Sequence, residues 1–433
     1  MGSLIEKSKR FISKVLKADI VRVFSLTSVA TLVKMLTGFV SVKVVASIIG
    51  PAGVALVGQL NNFATMVMSF ASGGINSGIT KYVAEYKEDN SLIAQYLSTA
   101  LRITGICSLI CAVLLIVLHR YISELIMLSP DYGYVFVIFG LTVFMYALNN
   151  LLTSVVNGYK EFKKFVNIGI ANSILGVAFT IVLVLCWQLE GALISAVTYQ
   201  SIMLLVTVLM IRKLPWFRWS FFKERLSRAV ASMYFRYTLM TLVSAMTVPV
   251  IQMLLRGYVM AEISPVEAGW WEGMNRISNM YLMVITSSFG VYYLPRLSEL
   301  KDPADIRHEI FKAYKVIVPM LLVGFVVVYF LRFFIIRLVF TPEFMPMQHL
   351  FAWQMAGDFF KICSWLLAYQ MLAKAMTRLF MATEIIFGLT YLGLGYLFVH
   401  LNGIVGLTQA YLVNYILYTI TMIIAFRHIL LKK

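Results

Sequence analysis

The sequence predicts an all-α integral membrane protein of about twelve transmembrane helices in two six-helix bundles. Composition, a series of long apolar runs and a one-sided distribution of basic loops predict it. Of the 433 residues, 60% are hydrophobic and 13% charged, with a mean hydropathy of +0.84. Soluble domains carry roughly 25% charged residues, so this chain has too little polar surface to face water. Each crossing of a ~30 Å hydrocarbon core takes about 20 apolar residues. A dozen crossings would use more than half the chain and leave no room for a sizeable soluble domain. The formal charge of +17 does not point to nucleic acid, because the bases lie mostly between hydrophobic runs and not on an exposed stripe. Cys107, Cys111, Cys186 and Cys363 fall inside apolar runs, which argues for free thiols over a disulfide framework.

At the N-terminus, Leu4, Ile5, Phe11, Ile12, Val15 and Leu16 recur at helical spacing, with Lys7, Lys9, Arg10, Lys14 and Lys17 on the remaining surface. Residues 1–23 are therefore expected to form an interfacial amphipathic helix. No compact apolar stretch with a small-residue cleavage site marks a secretory signal. An N-terminal bundle is expected over 24–211, with spans near 24–49, 54–78, 92–118, 134–157, 166–187 and 190–211; Gly50-Pro51 makes a sharp break between the first two. A polar connection over 212–235 separates it from a C-terminal bundle and tail over 236–433. The spans of that second half fall near 236–259, 271–294, 313–335, 350–373, 379–399 and 403–426.

Orientation follows from where lysine and arginine collect, since positive loops near span ends are retained in the cytoplasm. The N-terminus, the loops 79–91, 158–165, 212–235, 295–312 and 374–378, and the C-terminal tail hold nearly all loop bases. The opposite ends hold Arg120, Arg332 and Arg337 beside six acids. Both termini are therefore expected in the cytoplasm. The connection from Arg212 to Arg236 carries seven bases with Trp216, Phe217, Trp219, Phe221 and Phe222, a mixture suited to a headgroup layer. The halves also look alike: Lys160-Glu-Phe-Lys-Lys-Phe165 follows span four and Lys374-Ala-Met-Thr-Arg-Leu-Phe380 follows span ten. Thr80-Lys81 ends span two where Pro295-Arg296 ends span eight. Six spans per half implies parallel repeats related by an axis along the membrane normal.

Function is expected to reside in the ionisable residues left inside apolar runs: Lys34, Lys43, Arg102, Arg256, Glu272, Arg276, Asp358, Lys361 and Glu384. Each costs about 2.5–3.5 kcal/mol at a span centre, a cost that a water-filled cavity largely removes. Arg102 is near enough to the interface to snorkel. Glu272 with Arg276, and Asp358 with Lys361, are spaced to neutralise each other on one helix face; pairing and ligand contact are both open for these four. Lys34 and Lys43 are nine apart, half a turn out of phase, so a straight helix does not aim both at one cavity. Lys34 lacks a partner in its own helix and is the foremost candidate for an anionic ligand. Asn61, Asn62, Trp270, Asn275 and Gln354 add hydroxyl-seeking and aromatic groups nearby, although such residues also serve as interhelical glue or an interfacial belt. No histidine, cysteine or carboxylate cluster has metal-ligand spacing and no phosphate loop occurs, so no cofactor, metal or enzymatic chemistry is expected.

These residues resemble the O-antigen and enterobacterial common antigen flippases, the polysaccharide transport branch of the multidrug/oligosaccharidyl-lipid/polysaccharide exporter superfamily. The resemblance is carried by Thr31-Leu-Val-Lys34 with Gly38 and Lys43, by Gly50-Pro-Ala-Gly53, and by Gly78-Ile-Thr-Lys-Tyr-Val-Ala-Glu-Tyr86. In the second half it is carried by Tyr237-Thr-Leu-Met240, Tyr293-Leu-Pro295 with Leu297-Ser298, and Phe351-Ala-Trp-Gln354 with Gly357-Asp358 and Lys361. It implies a V-shaped pair of bundles that flips an undecaprenyl-diphosphate-linked oligosaccharide to the periplasmic leaflet by alternating access. On that reading Lys34, Arg256, Arg276 and Lys361 attract the diphosphate. Asn61, Asn62, Asn275, Gln354 and Trp270 contact sugar, with Lys43 and Glu272 in the same binding set. Asp358 or Glu384 couples a proton or sodium ion. Expected partners are membrane lipid and, as candidates, a glycan polymerase and chain-length regulator; nucleic acid is not one. Two alternatives are a cation-coupled drug exporter of the same superfamily, which would favour acids in its cavity, and a membrane glycan polymerase or glycosyltransferase, which would need catalytic groups.

Overall fold

The computed structural model describes residues 2–430 apart from 215, 223, 225 and 226, with side chains from Val29 onward except at a few positions between 219 and 291. The long helices are α1 (Gly2–Ala71), α3 (Asn90–Val117), α5 (Gly133–Gly158), α6 (Phe162–Ile211), α7 (Arg228–Glu262), α8 (Pro265–Ser288), α10 (Pro303–Val339), α11 (Phe351–Ala373), α12 (Thr377–Asn402) and α13 (Ile404–Ala425). Three short helices, α2 (Asn76–Tyr86), α4 (His119–Met127) and α9 (Leu294–Glu299), stand between them, and no strand forms among the described residues. The side chains that would give the N-terminal segment its expected amphipathic face lie outside the described residues.

Eight of these helices are long and apolar enough to cross a membrane. Two of the eight are double. α1 breaks at Gly50, whose φ of 65° interrupts the helix just before Pro51, where proline's missing N–H is tolerated at the first position of a new helix. α6 breaks at Trp187 and Gln188. α8 and α11 have spanning length but fall outside the eight; they carry the Glu272–Arg276 and Asp358–Lys361 pairs, so polar content sets them apart.

Three expectations about the connections change. The segment after span two is not a loop; Thr80 and Lys81 lie in helix α2, just as Pro295 and Arg296 lie in helix α9 after α8. A short helix thus follows the second long segment of each half. The connection 212–235 is also more than a surface strap. Ser98 Oγ donates to Phe221 O and accepts from the Glu224 N–H, both at 2.9 Å, Phe221 is buried, and Trp216 stacks on Tyr159 with centroids 4.4 Å apart. This packing and burial push the Tyr159 phenol up to about 12.

Packing fixes where the molecule is closed. In the first half α6 lies against both α1 and α5; in the second α13 lies against both α11 and α12. At the end away from the basic loops, one hydrophobic core runs across both halves, joining Ala46, Val54 and Ala55 of α1 to Leu255 of α7, Trp271 of α8 and Phe340 beyond α10. At the basic end there are two cores, one built on α2, α3 and α5 that also takes in Val230 and Tyr234 at the start of α7, and one on α9, α11 and α13. The first turns of α7 therefore pack on the first half at the basic end, where Thr238 Oγ1 donates to Gly73 O at 2.9 Å and the Tyr234 hydroxyl to Tyr96 O at 3.4 Å, while the halves share a core at the end away from the basic loops. Gly269 makes the closure tight: a Cβ there would lie 2.0 Å from the Pro51 carbonyl oxygen. Gly269→Leu is expected to hold this end apart, read in a cysteine-free background as a several-fold rise in maleimide labelling of a cysteine placed at Val54, which is now 0% exposed.

Candidate functional site

The first limb of α1 presents Lys34, Thr37, Gly38 and Ser41 at intervals of three or four, one helix face. That face lines a cavity of about 650 Å³, closed on the other sides by both limbs of α6 and by Glu272 and Arg276 of α8. α6 contributes Asn172, Ser173, Thr180, Ser195, Tyr199 and Gln200, and Asn61 comes from the second limb of α1. Nine of the twenty lining residues carry an amide or hydroxyl, beside two bases and one acid.

The acid is not free. Glu272 Oε2 accepts from Arg256 Nη2 at 2.5 Å and Oε1 accepts from Arg276 Nε at 3.0 Å. Arg256 is 1% exposed, donates also to Gln59 Oε1 at 3.2 Å and lies 5.4 Å from the Trp271 ring centroid. Gly58 makes room for this carboxylate, since a Cβ there would meet it at 2.6–2.9 Å. The cluster ties α1, α7 and α8 together across the two halves. Counting Arg256 behind the wall, Glu272 is neutralised and the lining keeps the charge of Arg276 and Lys34. Lys34 is exposed and forms no ion pair among the described residues.

The expected binding set is thus divided. Lys34, Asn61, Glu272 and Arg276 share the cavity. Arg256 does not reach it, being buried behind Glu272, which corrects its expected contact with ligand. Lys43 points the other way, as its half-turn offset implies, and its Nζ donates to Arg337 O at 3.0 Å in the last turn of α10 and to Phe340 O at 2.5 Å just past it. Asn62 donates to Gln252 Oε1 at 3.2 Å, and Trp270 Nε1 donates to Glu343 O at 2.9 Å at the closed end. Asn275 Nδ2 and Gln354 Oε1 are buried without partners among the described residues, and neither residue lines the cavity.

The expected direct pair of Asp358 with Lys361 is replaced by a bridge. Lys361 Nζ donates to the Tyr411 hydroxyl at 3.0 Å, which donates to Asp358 Oδ1 at 2.8 Å. Asp358 Oδ2 accepts from Ser278 at 2.7 Å and from Tyr281. Asp358 is fully buried and joins α8, α11 and α13. Lys361 and Glu384 line a second, smaller cavity in the second half. The polar face of α6 went unnoticed in the sequence, although Gly169, Asn172 or Ser173, Gly176 and Thr180 recur every three to four residues and mark one face.

With this geometry in place, the kinship of the chain is informative. Residues 20–301, more than half the chain, match the polysaccharide biosynthesis protein family. The lipid III flippase of Escherichia coli (strain K12) is 30% identical over 392 residues, 90% of this chain and 94% of that protein. The chain belongs to this family. The family is the lipid-linked oligosaccharide flippase branch that the motifs above resemble. Solved structures show the same fold. An inward-facing multidrug resistance MATE family transporter of the MOP superfamily superposes with a TM-score of 0.72 at 13% identity, covering 92% of this chain and 94% of that one. The lipid II flippase MurJ in an inward closed conformation gives 0.72 at 15% identity, covering 93% and 89%. The all-α, multi-pass membrane architecture expected for family members is the one found.

Proposed function

We propose that this protein flips an undecaprenyl-diphosphate-linked oligosaccharide from the cytoplasmic to the periplasmic leaflet of the bacterial inner membrane by alternating access. The observation that carries the reading is the cavity of about 650 Å³ with two lining bases, one neutralised acid and an amide and hydroxyl wall. A diphosphate needs cationic donors, and charge-assisted hydrogen bonds to lysine and arginine are the strong ones; a glycan needs hydroxyl partners. A cationic drug would be repelled by Lys34 and Arg276. Basic loops are retained in the cytoplasm, so on this reading the seal of Gly269 against Pro51 lies at the periplasmic end, and the core of α9, α11 and α13 stands apart from the first half at the cytoplasmic end. Rocking the halves would break the seal and open the cavity on the far side, while the prenyl tail stays in lipid.

Relatives named as flippases support transport over glycan synthesis or polymerisation. Depletion in the native cell tests the reading. Lipid-linked glycan is expected to stay inaccessible to a membrane-impermeant glycan label in spheroplasts while its synthesis continues. Accumulation of flipped but unpolymerised units would point to a polymerase instead.

A further inference from the structure

The second cavity, of about 200 Å³, lies among α7, α11, α12 and α13, and the transport reading above leaves it unused. Its position repeats that of the first. The main cavity lies against the first long segment of its half and the last two, the limbs of α6; the smaller one lies against α7, the first long segment of the second half, and against α12 and α13, the last two. Gln252 lines the second cavity and is hydrogen-bonded to Asn62, next in sequence to the Asn61 that lines the first. The two polar cavities therefore flank one seam between the halves.

Three features of the second cavity constrain what it holds. First, six aromatic residues line it: Trp365, Phe387, Tyr391, Tyr411, Tyr415 and Tyr418. Second, it keeps polar groups free for hydrogen bonding among the described residues, donors such as Trp365 Nε1 and Gln252 Nε2 as well as acceptors. Asn414 is 5% exposed and its Oδ1 is buried with no donor, while Glu384 accepts no hydrogen bond among the described residues. Third, its lining carries one ammonium and one carboxylate, with no net charge, and the place for a cation is filled. The Lys361 Nζ lies 5.1, 5.4 and 5.2 Å from the ring centroids of Trp365, Tyr411 and Tyr415 and donates to the Tyr411 hydroxyl. A free cation competes with that caged ammonium, and a free anion meets Glu384. The fitting ligand is neutral, both donates and accepts hydrogen bonds and has flat C–H faces for aromatic walls. A ring sugar meets all three conditions, and the space, roughly seven water volumes at ~30 Å³ each, suits one ring and not a chain.

We infer that this second cavity is a saccharide subsite, taking one ring sugar of the cargo glycan while the first cavity holds the diphosphate; the inference rests on the flippase reading. The test uses the full-length protein in proteoliposomes, with undecaprenyl-diphosphate-linked trisaccharide as transported cargo and sugar-free undecaprenyl diphosphate as competitor. Asn414→Leu, and independently the shape-conserving Glu384→Gln, are expected to raise KM for the trisaccharide cargo about tenfold, the worth of one well-made hydrogen bond. The inhibition constant of the sugar-free competitor is expected to stay unchanged. Equal shifts for both lipids, an unchanged KM in both variants, or an altered dependence on sodium or proton gradients alone would overturn the saccharide assignment and leave the flippase reading standing. Failure of the wild-type protein to move the trisaccharide cargo would overturn the flippase reading itself.

Discussion

Glu272→Ala is expected to destabilise the protein by about 3–5 kcal/mol, the usual consequence of removing one partner from a buried ion pair. Arg256 is 1% exposed and keeps only Gln59 and the Trp271 ring once the carboxylate is gone, so its charge would be buried without an anion. Thermal unfolding in detergent should show a large drop in midpoint. The double variant Glu272→Leu with Arg256→Met removes both charges, and replacing a whole buried pair by apolar groups is often neutral; it should recover most of the loss. An unchanged midpoint in Glu272→Ala would show that the cluster does not hold the halves together.

Lys34→Ala is expected to lower kcat/KM for lipid-linked oligosaccharide by about 10- to 100-fold, since hydrogen bonds to charged groups contribute about 1.5–3 kcal/mol. Lys34→Glu should reduce transport further, because it places a second acid across the cavity from Glu272. Lys34→Arg should retain most activity. Stability should be little affected in all three, because Lys34 is exposed and unpaired among the described residues; equal unfolding midpoints with divergent transport rates separate a ligand role from a structural one. Transport by Lys34→Glu at the wild-type rate would remove Lys34 from the site.

Much of the fold was legible because membrane spans declare themselves in one dimension. The apolar runs located α3, α5, α11, α12 and α13 to within three residues at each end, whereas α7, α8 and α10 begin 8, 6 and 10 residues before their expected spans; Gly50-Pro51 announced the break in α1. The break in α6 was legible as well: the spans expected at 166–187 and 190–211 part at Gln188, which takes a φ of 47° just before Glu190-Gly191. The charged residues inside spans were also legible, but their roles were not. Sequence spacing pairs residues on one helix, so Glu272 with Arg276 was readable. The partner that decides Glu272's state, Arg256, lies 16 residues away on another helix, and the Gln59 that holds Arg256 lies 197 away. Asp358 and Lys361 had the right spacing for a direct pair, yet Tyr411 of α13 sits between them. Lys43 shows the reverse: its helical phase already set it apart from Lys34, and packing supplied the carbonyls at the end of α10 that it binds.

On the flippase reading, the basic cavity with its amide and hydroxyl lining carries an isoprenoid-diphosphate-linked glycan across the bilayer. Proteoliposomes containing the purified protein and undecaprenyl-diphosphate-linked oligosaccharide test it most directly, with exposure of the glycan on the opposite leaflet followed by an impermeant glycan-cleaving enzyme. The expected result is translocation well above protein-free liposomes, abolished by the combined Lys34→Ala and Arg276→Ala changes in protein of normal stability. Translocation no faster than in protein-free liposomes, with export of a cationic drug by the same preparation, would contradict it.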